Sequence, residues 1–321
     1  MKAITIAAMT VVASVVASGA LAQGFPNKPI RVVLPFPAGG AADTLIRPLT
    51  VRLNELLTQQ IVADARPGAN GNIAAEIVAR SPADGYTLLF GNSSLPISVS
   101  LYDKLSYDVT KDFTPVSLAA FTPSVLVVHP SLPVKNVKEL IALAKKQPNK
   151  LNYASGGVGN TMHLAAALLD TMAGIRMTHV PYKGAGPAIV DVLGGQCDMV
   201  FVNIAPVLAH IRAGKVNAIA VTSKARAQVL PEVPTVAESG MPGYESTTWY
   251  GFLGPAGLPK DVVARLNSAI VEAVANKDLR ERYIALGAEP QTTTPDEYAA
   301  YIRNDIASWA KVVKAAGAKA E

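Results

Sequence analysis

Two glycine-rich segments hold the residue types best suited to chemistry in this sequence. Residues 39–44 read GGAADT and residues 156–161 read GGVGNT, so the paired glycines lie 117 positions apart. Each segment follows an apolar run typical of a buried strand and ends in a short polar residue, Asp43 or Asn160, typical of a helix start. Glycine permits close backbone approach, and the first N–H groups of a helix are unpaired and partially positive. Together the segments predict two anion-binding corners, although either one alone reads as an ordinary tight turn.

Other chemistries would need patterns that this chain lacks. Ser155 is not preceded by the leading glycine of a nucleophile elbow, and no carboxylate can be assigned to it or to His163. Residues 157–162 begin like a dinucleotide-binding motif but end in methionine, and no Walker lysine follows either glycine pair. We therefore expect no enzyme, no cofactor and no metal ion. The remaining histidines show no metal-ligand spacing and are expected to be structural: His129, His179 and His210.

Alternating short strands and helices position the two glycine segments. Apolar runs predict strands at 30–34, 61–63, 86–90, 124–128, 151–154, 177–180, 199–202 and 216–221. Amphipathic stretches between them predict helices at 43–57, 73–80, 137–147, 161–172 and 206–213. Such alternation with short loops is typical of parallel βαβ units, and it occurs in two similar series. The fold predicted is α/β, with two doubly wound lobes.

The C-terminal part of the chain differs from these two series. After Pro255 we expect only helices, the last of them opened by a capping box at residues 294–297, and we expect them to pack on the first lobe. The chain would then cross between lobes near 118–123 and again near 246–252, which gives a double-crossover hinge. The predicted lobe boundaries follow from these crossings. Residues 23–121 and 250–321 form the first lobe, and residues 122–249 form the second.

The N-terminus predicts export. Lys2, an apolar run at residues 3–17 and the ending Ala20-Leu21-Ala22 match a secretory signal peptide, with residues 1–22 removed. The run is too short and too interrupted for a membrane span, so we expect a soluble periplasmic protein. The single cysteine, Cys197, excludes an internal disulfide. A net charge of only +5, scattered basic residues and 6% aromatics argue against nucleic-acid binding.

A series of short motifs runs in a fixed order along nearly the whole mature chain. The motifs are GFPNKPIR (24–31), PFPAGGAAD (35–43), RPGANG (66–71), PADGYTLL (82–89), YASGG (153–157), HVPYKG (179–184), GGQCD (194–198), VPTVAESG (233–240), WYG (249–251) and LP (258–259). In this order they resemble the Bug receptors, the extracytoplasmic binding proteins of the tripartite tricarboxylate transporter (TctC) family. That resemblance implies a type II periplasmic-binding-protein fold.

The resemblance also implies a ligand carboxylate held between the two glycine loops, largely by backbone N–H groups and bridging waters. It assigns to the first loop the residues Phe36, Ala38, Gly39, Gly40 and Asp43. It assigns to the second loop the residues Ser155, Gly156, Gly157, Asn160, Thr161 and His163. Many relatives have serine in place of Asn160, and His163 could equally be a packing residue.

The variable end of the pocket is expected near the ends of other strands and at the second crossing. The candidates are Asn92 or Ser93, Asn203 and the Trp249-Tyr250 pair, each of which could equally pack in the core. Asp198 is a further candidate, able to pair a ligand amino group or to brace the hinge. The expected partners are a small organic carboxylate and the permease subunits of a tripartite tricarboxylate-type transporter, with the chain itself a monomer. A sensor kinase as partner and an exported α/β enzyme are the alternatives.

Overall fold

The computed structural model describes residues 24–320, so the predicted signal peptide lies outside the described residues. The strands are β1 (Ile30–Leu34), β2 (Ile61–Ala65), β3 (Thr87–Asn92), β4 (Phe113–Val128), β5 (Asn152–Ser155), β6 (Thr178–Pro181), β7 (Met199–Asn203), β8 (Asn217–Val221), β9 (Thr247–Pro255) and β10 (Glu289–Pro290). The helices are α1 (Ala41–Leu57), α2 (Asn72–Ala79), α3 (Ser94–Leu101), α4 (Val137–Lys146), α5 (Thr161–Ala173), α6 (Ala185–Leu193), α7 (Ile204–Arg212), α8 (Lys260–Ala275), α9 (Lys277–Ala285) and α10 (Pro295–Ala316). Most of these elements match the predicted ones to within two or three residues.

The strand order divides one continuous sheet into two halves. The first half runs β2-β1-β3-β9-β4, the second runs β4-β7-β5-β6, and β10 and β8 pair with β4 in the first and second half respectively. Within each half the strands of the βαβ units are parallel. In the first half β1 pairs with β2 and β3, and in the second half β5 pairs with β6 and β7. Helices cover both faces of each half. The predicted architecture of two doubly wound α/β lobes is confirmed.

Two long strands carry the chain between the lobes. β4 pairs with β9 from Phe113 to Pro123 and then pairs with β7 and β8 from Ser124 to Val128. β9 is antiparallel to both β4 and β3, because the chain leaves the first lobe along β4 and returns to it along β9. The predicted double crossover is confirmed, and the sheet is mixed for this reason. The lobe boundaries at 121/122 and 249/250 lie close to the change of pairing partner and stay a prediction.

Three elements were not predicted from the sequence. The first half of β4 contains Pro115 and Pro123, which argue against a strand, and the structure accommodates it with two register shifts against β9. α3 is buried on nearly every side and therefore has no amphipathic pattern to reveal it. β10 corrects the expectation that only helices follow Pro255, because two residues pair there with the edge of β4.

We expected all of the C-terminal helices to pack on the first lobe. The last of them also contacts the second lobe. α8 packs on α1 and β4 in the first lobe, but α10 contacts α3 in the first lobe and α5 in the second. Its Trp309 and Val313 share an apolar cluster with Leu101 of α3 and Leu164 of α5. The last helix therefore bridges the two lobes on the outside of the crossover.

A half-buried carboxyl group, that of Asp305, joins this last helix to the second crossing strand. The indole N–H of Trp249 donates to Oδ2 of Asp305 over 2.7 Å, and the Trp249 ring packs edge-on against Tyr298. Burial raises the pKa of Asp305 to about 7 although the bond from Trp249 opposes the rise, and the negative charge of Glu245 raises it further.

Asp305→Asn is expected to change how stability depends on pH. The folded-state pKa lies above the ordinary value of 3.8, so the contribution of the protonated carboxyl is lost as pH rises toward 8. Asparagine keeps an oxygen acceptor for Trp249 and cannot ionise. Urea unfolding should give equal stability for the two proteins near pH 4.5, and about 2 kcal/mol more for the variant at pH 8.

The matched control for this experiment is Asp296→Asn, on the exposed first turn of the same helix. Its difference from wild type should not grow between the two pH values. An Asp305→Asn difference that is the same at pH 4.5 and at pH 8 would contradict the assignment.

Candidate functional site

The carboxyl ends of the parallel strands in both lobes face the same junction. In the first lobe β3 ends at Asn92, which lies opposite Tyr250 of β9. In the second lobe β7 ends at Asn203, which lies opposite Ser124 of β4. β1 runs parallel to β3 and β5 runs parallel to β7, so the two glycine loops leave their strands toward this junction as well. Strand ends of this kind are where open α/β sheets bind ligands.

A buried polar cluster lies at the junction. Nδ2 of Asn203 donates to the Tyr250 hydroxyl over a long 3.5 Å, and the side chains of Asn92 and Thr122 lie beside that hydroxyl. Burial raises the pKa of Tyr250, and these polar neighbours only partly offset the rise, so the phenol is neutral. Its ring stacks on Phe90 with centroids 5.8 Å apart. Neutral amide and hydroxyl groups from both lobes therefore form one surface at the crossover.

The first glycine loop is fixed from behind by Asp43. Gly39 has φ = 81°, and its N–H donates to Oδ2 of Asp43 over 2.9 Å. Gly40 is the N-cap of α1, and no side chain caps that helix. Ala38 and Gly39 are exposed and Phe36 is half-buried. Among residues 24–320, no side chain caps the N–H groups in the first turn of α1.

Asp43 is a brace of the loop rather than a free carboxylate. It is buried, and its Oδ2 also accepts from Nε of Arg47 over 2.9 Å. Burial alone would raise its pKa, but the bonds from Arg47 and Gly39 outweigh that effect and lower the pKa. The carboxylate is therefore ionised, and Arg47 balances its charge beside the helix start.

The second glycine loop uses a different cap. Asn160 is the N-cap of α5, and its Oδ1 accepts from the backbone N–H of His163 over 2.9 Å. Ser155 is fully buried at the end of β5, and its Oγ accepts from the N–H of Gly157 over 3.1 Å. Thr161 is the first residue of α5. Asparagine therefore caps this helix, and the Gly157 amide bonds inside its own loop.

Gly156 is required for packing. A Cβ at this position would lie 2.6 Å from Nδ2 of Asn160 and 3.1 Å from the backbone carbon of Gly184, in the loop that precedes α6. The N–H of Gly184 also donates to the Gly156 carbonyl over 3.1 Å. Gly156 thus joins two neighbouring loops of the second lobe.

The correspondence between the two loops differs from the one read in the sequence. Gly40 and Asn160 are the N-caps, with φ/ψ of −75°/175° and −75°/168°. The glycines before them, Gly39 and Gly159, both have positive φ. The sequence comparison paired Gly39 with Gly156 because the glycine doublets align. The structure pairs it with Gly159, because the helix start decides which residues are equivalent.

His163 and His179 form the back of the second loop. Nδ1 of His163 accepts from the Gly159 N–H over 3.0 Å, and the two imidazoles stack with centroids 3.9 Å apart. Nε2 of His179 lies 2.6 Å from Oγ of Ser155. Burial lowers the pKa of both rings to about 4, and for His163 the neighbouring His179 adds to the effect. The expectation that His179 is structural did not include its contact with His163, because only the fold brings β6 beside α5.

Two predicted site residues lie away from the junction. Asp198 precedes β7, at the opposite end of the strand from Asn203, and its Oδ2 accepts from the N–H of Asn152 over 2.6 Å. It braces β5 against β7 rather than the hinge. Trp249 is fully buried and its side chain points to Asp305 of α10, whereas the next residue, Tyr250, reaches the junction. The alternation of side chains along a strand explains the difference.

Within residues 24–320, no group of three or more histidine, cysteine, aspartate or glutamate side chains could hold a metal ion. No helix in that part of the chain has both the length and the hydropathy to cross a bilayer. The free cysteine, Cys197, is buried, and burial raises the pKa of its thiol to about 11.

Curated proteins of the same length resemble this chain over almost their full extent. Protein BugT of Bordetella pertussis is 38% identical over 306 residues, which cover 95% of this chain and 94% of that protein. A UPF0065 protein from the tcbD-tcbE intergenic region of Pseudomonas sp. strain P51 is 39% identical over 91% of this chain and 87% of its own length.

Solved structures share the fold. R. palustris Rpa4515 with adipate superposes with a TM-score of 0.85 at 37% identity, covering 92% of this chain and 99% of that one. MatC (Rpa3494) from Rhodopseudomonas palustris with bound malate has a TM-score of 0.81 at 34% identity, covering 90% of this chain and all of that one. The periplasmic binding protein BugD has a TM-score of 0.83 at 33% identity, over 92% of this chain and all of that one.

The match to a protein family extends through both lobes. Residues 45–318 fit the family described as TctC, tripartite tricarboxylate transporter family receptor. This match includes α1 from Leu45 onward, the whole second lobe and the bridging helix α10, and the likeness to BugT and BugD extends over more than nine-tenths of the chain. The chain therefore belongs to the TctC family of tripartite tricarboxylate transporter receptors, the family that includes the Bug proteins.

Proposed function

We propose that this chain is a periplasmic receptor that captures a small organic carboxylate between its lobes and delivers it to a transporter of the tripartite tricarboxylate type. One observation carries the proposal. α1 and α5, one in each lobe, both begin after a glycine loop at strand ends that face the same junction. Helix starts of this kind bind anions through backbone N–H groups and partial positive charge.

The first loop supports binding without a salt bridge to the ligand. α1 has no side-chain cap, so the N–H groups of its first turn are available to carboxylate oxygens. Asp43 lies within the same turn, but Arg47 balances its charge and Gly39 occupies its oxygen. The Asp43 carboxylate is therefore engaged inside the loop and neutralised by Arg47, which limits the repulsion between Asp43 and a bound anion.

Relatives with bound ligands support the choice of a carboxylate. Solved structures 37% and 34% identical to this chain contain adipate and malate, both of which are dicarboxylates. A dicarboxylate would place its second polar end against the cluster around Tyr250. That cluster offers amide N–H and hydroxyl groups of Asn92, Thr122 and Asn203, which set the length and hydroxylation of the preferred ligand.

A ligand screen tests the proposal directly. The protein without residues 1–22 is mixed with adipate, malate, citrate, glutamate and benzoate, and binding is measured by native mass spectrometry and thermal shift. At least one dicarboxylate should bind in a 1:1 complex and raise the melting temperature.

The matched control for the screen is adipamide, which has the length of adipate without its charge. Adipamide should give no shift. Equal shifts from the amide and the acid, or binding of a neutral sugar in place of every carboxylate, would contradict the proposal.

Gly40 is the sharpest position for testing the first loop. Gly39 has positive φ and Gly156 has no room for a Cβ, but Gly40 has ordinary dihedrals and a Cβ there would meet only the Pro37 carbonyl, at 3.2 Å. Gly40→Asp should weaken binding of the carboxylate found in the screen by more than about tenfold, because its charge lies at the anion position. Isothermal titration calorimetry measures the effect.

The control variant is Gly40→Asn, which copies the natural cap of α5. Both variants should keep the melting temperature of the wild type, since aspartate and asparagine are favoured N-caps. Asparagine should weaken binding much less than aspartate. Equal affinities for the two variants would show that the anion does not lie at the start of α1.

Tyr250→Phe tests the distal end of the pocket. The substitution removes only the hydroxyl and keeps the stacking of the ring on Phe90. We expect the dissociation constant of a bound dicarboxylate to rise about fivefold, the value of one ordinary hydrogen bond. Tyr298→Phe is the control, because its buried hydroxyl has no hydrogen-bond partner in the part of the chain that the structure describes and its ring packs on Trp249. If both variants bind like the wild type, the Tyr250 cluster does not contact the ligand.

A further inference from the structure

The N–H of the glycine before each N-cap makes the same hydrogen bond in both lobes. In the first lobe Gly39 donates to a carboxylate oxygen of Asp43 over 2.9 Å. In the second lobe Gly159 donates to Nδ1 of His163 over 3.0 Å. The acceptor is in each case the third residue of the helix, so it ties the loop to the helix it precedes. At this hydrogen bond the two lobes differ in the chemistry of the acceptor, a carboxylate in the first lobe and an imidazole in the second.

The imidazole acceptor imposes a condition that the carboxylate does not. A carboxylate accepts whenever it is ionised, and the pKa of Asp43 is lowered. Nδ1 of His163 can accept from Gly159 only while that nitrogen has no proton, so the ring must be neutral with its proton on Nε2. In the imidazolium form, two N–H groups would face each other inside a buried turn.

We propose that His163 is a positioning residue, whose neutral ring holds the second glycine loop in its ligand-binding shape and whose protonation releases that loop. The inference rests on the proposed function, because the loop is one of the two that would grip the carboxylate. His179 is its stacked partner and is tied to the other end of the loop through Ser155.

The stacking keeps His163 neutral. The rings of His163 and His179 are parallel to within 3° and 3.9 Å apart, a geometry that does not tolerate two cations. The Tyr153 ring is nearly parallel to both imidazoles, with its centroid 5.0 Å from that of His179 and 6.2 Å from that of His163. Burial lowers the pKa of both imidazoles to about 4, and the charge of His179 would lower that of His163 further.

Water reaches the pair from one side. Both rings line an open cavity of about 860 Å³ between α5, the start of β6 and the end of α10. The other titratable groups on that cavity are Tyr153, Asp170, Arg176 and Lys319. Burial raises the pKa of Asp170 to about 6, opposed by a bond from the Met177 N–H. Asp170 thus titrates before the imidazoles as pH falls, and a test must separate its effect from that of His163.

The lowered pKa values of the two histidines make the folded protein less stable as pH falls. The folded-state pKa of each histidine lies below its ordinary 6.5, so the unfolded chain takes up protons first and stability falls as pH drops from about 6.5 to about 4. Ligand affinity of the folded protein holds down to pH 5 and is lost as His163 itself protonates near pH 4.

Two substitutions separate positioning from packing. His163→Asn keeps an acceptor close to the place of Nδ1 and cannot be protonated. His163→Phe keeps a flat ring in the stack and has no acceptor. With adipate and malate as probes at pH 7, the asparagine variant should retain most of the affinity, and the phenylalanine variant should lose about tenfold or more. His210→Phe, on α7 outside the site, is the control and should bind like the wild type.

The pH dependence of ligand binding distinguishes the two roles of His163, because a side chain that only packs would not change it. The ratio of the dissociation constants of wild type and His163→Asn cancels the ionisation of the probe and of Asp170. That ratio should stay level from pH 7 to pH 5 and rise as pH falls toward 4, with circular dichroism confirming that both proteins are folded. A ratio that stays level to pH 4, or a phenylalanine variant that binds like wild type, overturns the proposal.

Nuclear magnetic resonance of the ligand-free protein decides the positioning step independently. At pH 7 the His163 ring should be the Nε2–H tautomer, with its Nδ1 hydrogen-bonded to the Gly159 amide. A proton on Nδ1 at neutral pH overturns the inference even if carboxylates bind. If the His163 ring is the expected tautomer but no carboxylate binds, His163 still holds the loop, and the proposed function is refuted instead.

Discussion

The backbone N–H of the glycine before each N-cap is the group on which the site depends. It lies in a turn that only a positive φ can make, next to a helix start whose own N–H groups must remain available. Each lobe satisfies it with a side chain one helical turn ahead, Asp43 or His163. This hydrogen bond fixes each loop from the side of its own helix, and the outer side of the loop remains available to a ligand. A receptor that binds with backbone groups needs this arrangement, because the groups are useful only if the turn does not relax.

The crossing strands provide the second constraint. β4 runs through both halves of the sheet and β9 pairs with it in the opposite direction, so the ends of β3 and β7 approach the same few residues of the crossover. The neutral cluster at Tyr250 forms there and joins Asn92 of one lobe to Asn203 of the other. In the proposed receptor, the helix starts would hold the charged group of the ligand and the junction would discriminate by hydrogen bonding. Such a division allows one scaffold to accept different acids by changing a few polar side chains.

Much of this could be predicted from the sequence, and the failures have identifiable causes. Strand and helix alternation predicted the two lobes, because each buried run is short and each turn contains glycine or proline. The start of β4 was missed because Pro115 and Pro123 normally exclude a strand interior, and α3 was missed because its burial leaves no periodicity. At the site, paired glycines suggested a false register between the loops. The sequence named Trp249 and Tyr250 together, whereas the alternation of side chains along β9 decides which of the two faces the junction. His179 was beyond prediction, since its role exists only through contact with a distant helix.

The bridging position of α10 also gives the protein an internal optical probe. The sequence has two tryptophans. Trp249 lies in the core of the first lobe, bonded to Asp305, while Trp309 lies in the cluster that α10 shares with α3 and α5. A rotation of the lobes would shear the second environment and leave the first intact. Intrinsic fluorescence of the unlabelled protein would therefore follow the movement through a single indole, against a constant background from the other.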